Sequence, residues 1–138
     1  MRMLRRCFVA LALIGAVACG GAGGGTTTAR PPTSSRKVVG VTLLTQTDAF
    51  YKALEAGIRQ EAAAKGLDVV VVACEYDPTK QASQIEDFVA QHVAAILAAP
   101  CDSDAIVPAL AGAEQAGIPV FTADIAAHGG KIASHVAS

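Results

Sequence analysis

An α/β fold built on a doubly wound parallel sheet of order 2-1-3-4-5 is predicted by three observations. Short, near-continuous apolar runs alternate with longer segments of helical periodicity, glycines stand where those helices have to stop, and polar residues collect directly after the apolar runs. Runs that are apolar on both faces suit strands covered on both sides, which is the situation of a parallel sheet. Alternating strands and helices connect by right-handed crossovers into one such sheet. The order 2-1-3-4-5 opens a crevice between the carboxyl ends of strands 1 and 3, where sheets of this kind place their ligands.

The first run, Val38–Leu44, is apolar or β-branched except at Gly40 and reads as the central strand. It breaks into Thr45-Gln46-Thr47-Asp48, and Asp48 is placed to cap a helix. Phe50, Leu54, Ile58 and Ala62 recur at four-residue spacing as the expected core face of that helix, which runs to about Lys65 and stops at Gly66. Leu67–Cys74 is the second strand. Asp77-Pro78 opens the second helix, with proline at a position that needs no donor. Its expected buried stripe is Ala82, Ile85, Phe88, Val89 and His92, the last as a packed core histidine.

Val93–Ala99 is the third strand. Asp102-Ser103-Asp104 reads as the start of the third helix, with Ile106, Leu110 and Ala113 on its core face and Gly117 at its end. Pro108 then falls inside that helix, where it forfeits at most one backbone bond. Ile118–Thr122 is the fourth strand, Asp124–Lys131 a polar loop and Ile132–Val136 the fifth strand.

The first eighteen residues read as an export signal. Arg2, Arg5 and Arg6 precede the apolar stretch Cys7–Val17, which is too short to span a bilayer as a mature helix. Ala16-Val17-Ala18-Cys19 resembles a bacterial lipobox, with Ala16 where leucine is usual, and that resemblance implies lipidation of Cys19. An ordinary secretion signal with a chance cysteine is the other reading. Residues 19–37 then form the lipidated cysteine and a flexible Gly/Thr/Pro tether, and residues 38–138 one small domain.

From Val38 onward five Lys/Arg face twelve Asp/Glu, a net charge of −7, which argues against a nucleic-acid partner. Cys74 and Cys101 follow strands 2 and 3, which are not neighbours and lie about 9–10 Å apart. A disulfide needs Cα atoms within about 7 Å. Export would permit the bridge, but two free, partly buried thiols are the expectation. No Cys/His spacing points to a metal.

Nor does a catalytic constellation stand out. GxSxG, a Walker loop, HExxH and a GxGxxG after the first strand are all missing, so neither an enzyme nor a cofactor is expected. His128 is expected to be solvated, and nothing in the sequence identifies a partner for His135. The groups that do gather at the carboxyl edge are Thr45–Tyr51, Glu75-Tyr76-Asp77, Cys101–Asp104 and Asp124. Carboxylates accept hydrogen bonds from vicinal hydroxyls, and an aromatic face packs on the C–H face of a sugar ring, so this set suits a neutral polyol. Helix capping accounts equally for Asp48 and better for Asp77 and Asp102. Asp124 precedes no clear helix. Phe50 and Tyr51 are adjacent, so one can face the core while the other looks into the crevice.

The stretches TQTDAFYKALEAGIRQEAAAKG and DPTKQASQIEDFVAQHVAAILAAPCDSDAIVPALAGAEQAGIPV, with FTADI and IASHVAS after them, resemble the periplasmic sugar-binding proteins of ABC importers, of the ribose-binding type. That resemblance implies stacking aromatics at Phe50 and Tyr51, a polar ligand contact at Asp48 and a sugar-binding aspartate at Asp124. It departs at Ile125, where arginine is common, and at Ala99, where asparagine is common. Family members close two lobes around the ligand, whereas this chain resembles an incomplete N-terminal lobe and is expected to bind sugar weakly or not at all by itself.

The implied function is a substrate-binding lipoprotein of the cell envelope, anchored through Cys19, that delivers a small carbohydrate or polyol to an importer's membrane permease. A receptor feeding a sensor kinase is an alternative. A lac-repressor-type regulator would need a helix-turn-helix before Val38, and a flavodoxin-like enzyme would need a nucleophile or phosphate loop.

Overall fold

The computed structural model of the chain describes residues 36–137. The export signal, Cys19 and the tether up to residue 35 lie outside them. Five strands alternate with three helices: β1 (Val38–Leu43), α1 (Ala49–Ala64), β2 (Asp68–Ala73), α2 (Pro78–Ala90), β3 (Ala95–Ala98), α3 (Val107–Gln115), β4 (Val120–Ala123) and β5 (Ile132–Val136). They form one parallel sheet in the order β2-β1-β3-β4-β5, as the sequence predicts.

β1 is buried on both faces because its alternate residues meet different helices. Val41 and Leu43 pack with Tyr51, Leu54 and Ile58 of α1. Gly40 and Thr42 face α2: a Cβ at Gly40 would meet the Phe88 ring at 2.6 Å, and Thr42 hydrogen-bonds Gln84. Glycine thus lets the Phe88 ring lie directly on the central strand. The larger core, with Ile85, Phe88, Ile96, Ile106, Leu110 and Val120, lies under α2 and α3. Burying side chains of this size contributes roughly 1.5–3 kcal/mol each.

All three helices end alike, in Schellman motifs. The amides of Gly66, His92 and Gly117 bond back to Ala63, Val89 and Glu114, and those of Leu67, Val93 and Ile118 to Ala62, Phe88 and Ala113. This corrects the reading of His92, which is exposed and stands beyond α2 with φ +53°, not in the core. The apolar stripe of α2 stops one turn earlier, with Ile85 and Phe88 buried.

Three further expectations change. The core face of α1 begins at Tyr51, 5% exposed, while Phe50 is 44% exposed. A helix turning about 100° per residue accommodates either stripe, and the sheet selects the one carrying Tyr51. The third helix begins at Val107, not near Asp102, so Pro108 falls in its first turn and costs no hydrogen bond. Asp102 caps the turn before it, accepting from the amides of Asp104 and Ala105 at 2.9 and 2.7 Å.

Finally, Cys74 and Cys101 form a disulfide, with Cα atoms 6.8 Å apart. Beyond the ends of β2 and β3 the two connections lean together over β1, closing the interstrand gap that the spacing predicts.

Loop 124–131 is fastened to α3 and the turn before it. His128 donates its amide to Ser103 O at 2.9 Å and pairs its ring with Asp104 at 3.0 Å, and Gly130 lies against Leu110. His135 has a partner the sequence does not reveal: its Nδ1 lies 2.9 Å from the Thr122 hydroxyl on the neighbouring strand.

Candidate functional site

The carboxyl edge is assembled from the turns that follow β1, β2, β3 and β4. After β1 the chain dips inward at Thr45, which is buried. Its hydroxyl donates to Glu75 Oε2 at 2.7 Å, and the Gln46 amide donates to Glu75 Oε1 at 3.2 Å. Both oxygens of one carboxylate thus tie the β2–α2 turn to the end of β1. The Thr45 hydroxyl first, and the Gln46 amide second, hold the Glu75 pKa below its ordinary value. A depressed folded-state value means that the tie persists above the ordinary glutamate range. It is lost as pH falls through the lowered value.

Asp48 caps α1, its Oδ1 accepting from the Phe50 amide at 2.7 Å. Phe50 turns its ring outward and Tyr51 turns inward, the two rings meeting edge to face with centroids 5.1 Å apart. Tyr51 crosses the sheet end to donate its hydroxyl to Asp124 Oδ2 at 2.7 Å. Burial above all, then this hydrogen bond, pushes the Tyr51 pKa well above the ordinary phenol value, so the hydroxyl keeps its proton and remains a donor. Asp124 stands at φ +65° after β4, and its amide donates to Val136 O at 2.8 Å. The structure therefore brings Tyr51 and Asp124 into contact and leaves Phe50 beside them at the surface.

Beneath this edge lies a buried amide network that the apolar-stripe reading of α2 passes over. Gln81, 1% exposed, donates to Ala99 O at 2.9 Å and to the Thr42 hydroxyl at 3.3 Å, and accepts from the Cys101 amide at 2.8 Å. Gln84 donates to Ala73 O at 2.8 Å and accepts from the Thr42 hydroxyl at 2.7 Å. Two glutamines one helical turn apart thereby fix the ends of β2, β1 and β3. The sequence signal was there, as two amides at helical spacing on an otherwise apolar face. Glu75 has no such signal, since its partners are 29 and 30 residues away.

Among the described residues no three His, Cys, Asp or Glu side chains converge on a metal site. A cavity of about 260 Å³ lies at the opposite end of the sheet, between Gly117–Val120 and Lys131–Ala133, and shares no residue with the carboxyl edge.

Residues 39–138 match the model of the periplasmic binding protein domain family. The chain belongs to that family. Relatives of this binding domain include the ribose import binding protein RbsB of Bacillus subtilis, 39% identical over 100 residues, which are 72% of this chain and 33% of the relative. The xylitol-binding protein of Mycolicibacterium smegmatis is 31% identical over 123 residues, 89% of this chain and 33% of the relative. Among solved structures, the Caulobacter myo-inositol binding protein, bound to myo-inositol, superposes with a TM-score of 0.70 at 29% identity, over 78% of this chain and 36% of that one. An ABC transporter solute binding protein from Mycobacterium smegmatis with bound glycerol gives a TM-score of 0.68 at 32% identity, over 72% and 34%. The binding domain thus spans about a third of the length of the curated relatives it matches. These relatives are solute-binding proteins, not enzymes.

Proposed function

We propose that this chain supplies the ligand-facing edge of the first lobe of a solute-binding protein that captures a sugar or similar polyol for an ABC importer's permease. The observation that carries the reading is the Tyr51–Asp124 hydrogen bond of 2.7 Å beside the outward-facing Phe50 ring. In this reading Phe50 packs on the C–H face of the ligand and Asp124 accepts from vicinal hydroxyls. Tyr51 holds Asp124 in place, and Asp48 adds a second carboxylate at the rim. A polyol is favoured over an anionic sugar because Asp48, Glu75 and Asp124 set a negative field at this edge. Relatives named for ribose and xylitol, and neighbours solved with myo-inositol and glycerol, support the same ligand class.

One lobe covers a ligand from one side, whereas high affinity follows from burying most of it. Binding by this chain alone is therefore expected at millimolar concentrations. Titration with D-ribose, xylitol and myo-inositol, followed by amide NMR shifts, should move signals around Phe50, Tyr51 and Asp124 saturably for at least one of the three. Asp124→Ala should weaken that binding about tenfold, the worth of one charge-assisted hydrogen bond. Saturable shifts with none of the three would remove the reading.

The same protein is proposed to be held at the envelope by lipid on Cys19, for which the basic start, short apolar core and small residues before Cys19 are the support. Mass spectrometry of the membrane-extracted protein should find a chain beginning at Cys19 and heavier by acyl groups. An unmodified N-terminus there would refute the anchor and leave the ligand reading intact.

A further inference from the structure

Tyr76 is the residue of the carboxyl edge that neither capping nor packing explains. On its two sides, Glu75 ties the turn to β1 and Asp77 caps α2 by accepting from the amides of Thr79 and Lys80 at 2.8 and 3.1 Å. Tyr76 itself is 65% exposed. Glu75 and Tyr76 both stand in the left-handed region, at φ +53° and +64°, and the Asp77 amide donates to Cys74 O at 3.1 Å across them. Two left-handed central residues closed by such a bond make a type I′ turn, whose usual occupants are Asn-Gly or Gly-Gly. Here the second place is taken by a large aromatic that buries little of its surface, in a conformation disfavoured for any residue with a Cβ.

Strain of this kind persists only where surrounding structure holds it, and it gathers at functional sites. Three fastenings hold this turn: the Glu75 carboxylate, the Asp77 cap and the Cys74–Cys101 bridge. The Tyr76 amide also donates to Leu44 O at 3.3 Å, which sets the residue at the end of β1. After burial and Asp124, Tyr76 adds to the upward push on the Tyr51 phenol. The chain has two tyrosines and four phenylalanines, and three of the six (Phe50, Tyr51 and Tyr76) stand at this one edge.

We infer that Tyr76 is a ligand-contacting residue, an aromatic wall of the polyol site that the turn presents to solvent at the expense of its own backbone. The inference rests on the polyol reading of this edge and adds to it a residue that the family resemblance does not supply. Aromatic rings pack on the C–H faces of polyols, and the phenol adds one donor and one acceptor for their hydroxyls.

The test is Tyr76→Gly beside Tyr76→Phe, each measured for thermal stability and for binding of whichever of D-ribose, xylitol and myo-inositol the unaltered chain takes. Glycine removes both strain and ring, so Tm should rise by about 4 °C while binding weakens about tenfold. Phenylalanine keeps the ring and should retain most of the affinity with Tm unchanged. A Tm that falls with glycine would show that the ring packs structurally and would overturn the assignment. So would a raised Tm with unaltered binding. Failure of the unaltered chain to bind any of the three polyols would refute the polyol reading and this assignment together, whereas a defect-free Tyr76→Gly refutes this assignment alone.

Discussion

Removing the Cys74–Cys101 bridge should lower the unfolding free energy by about 3.5 kcal/mol, the loop-closure value for a cross-link spanning 27 residues. Single domains have about 5–15 kcal/mol in total, so the loss is a large share of it. The double variant Cys74→Ala/Cys101→Ala isolates the effect from Cys7 and Cys19. Its urea midpoint should fall well below that of the oxidised parent, and a reducing agent should bring the parent down to the variant. Coincident midpoints for parent and variant, with Cys74 and Cys101 open to a thiol reagent beforehand, would show that the bridge does not form. The loss should be felt locally as well, because the bridge joins the turn carrying Glu75 and Tyr76 to the segment that Gln81 fastens through the Cys101 amide.

Gln81→Leu should destabilise by about 2–4 kcal/mol. The substitution strands the carbonyl of Ala99, which is fully buried, and the amide of Cys101, and each orphaned buried group costs about 1–3 kcal/mol. Volume is not the cause, and Gln81→Met can show it: methionine matches the length of glutamine, so an equal loss reports the missing hydrogen bonds. Hydrogen exchange gives the local readout, with the Cys101 amide losing its protection in both variants. Stability within about 0.5 kcal/mol of the parent, the range of ordinary surface substitutions, would mean that water replaces the amide and that the network does not fix the strand ends.

The sheet was legible because its signals are local. Each apolar run is short, α1 and α2 open on their own aspartate caps, and alternation dictates parallel pairing, with 2-1-3-4-5 one of the doubly wound orders it permits. The errors arise where neighbours along the chain leave a choice to neighbours in space. Phe50 and Tyr51 offer two apolar stripes of equal quality, and only the sheet beneath decides that Tyr51 faces in. His92 continues the stripe of α2 by one more turn, yet the chain has to reverse there to reach β3, so the histidine takes the left-handed place that Gly66 and Gly117 fill elsewhere. Pro108 looks internal only if the helix begins at Asp102.

In the candidate site, Asp124 was recognisable as a carboxylate with no helix to cap. Its contact with Tyr51 was not, because 73 residues separate them. The disulfide was misjudged because strand spacing was applied to residues that lie beyond the strands.

β1 comes first in the sheet-forming sequence and lies between β2 and β3. Both of its partners are therefore made after it, and each requires a crossover helix before it can return. During folding the segment Val38–Leu43 stays extended and apolar until both neighbours have returned to it. The Tyr51–Asp124 contact waits longer still, until β4 has docked. A polyol can then stabilise the finished domain by mass action but cannot guide its early assembly. Ligand added during refolding should raise the yield of native protein without quickening its formation.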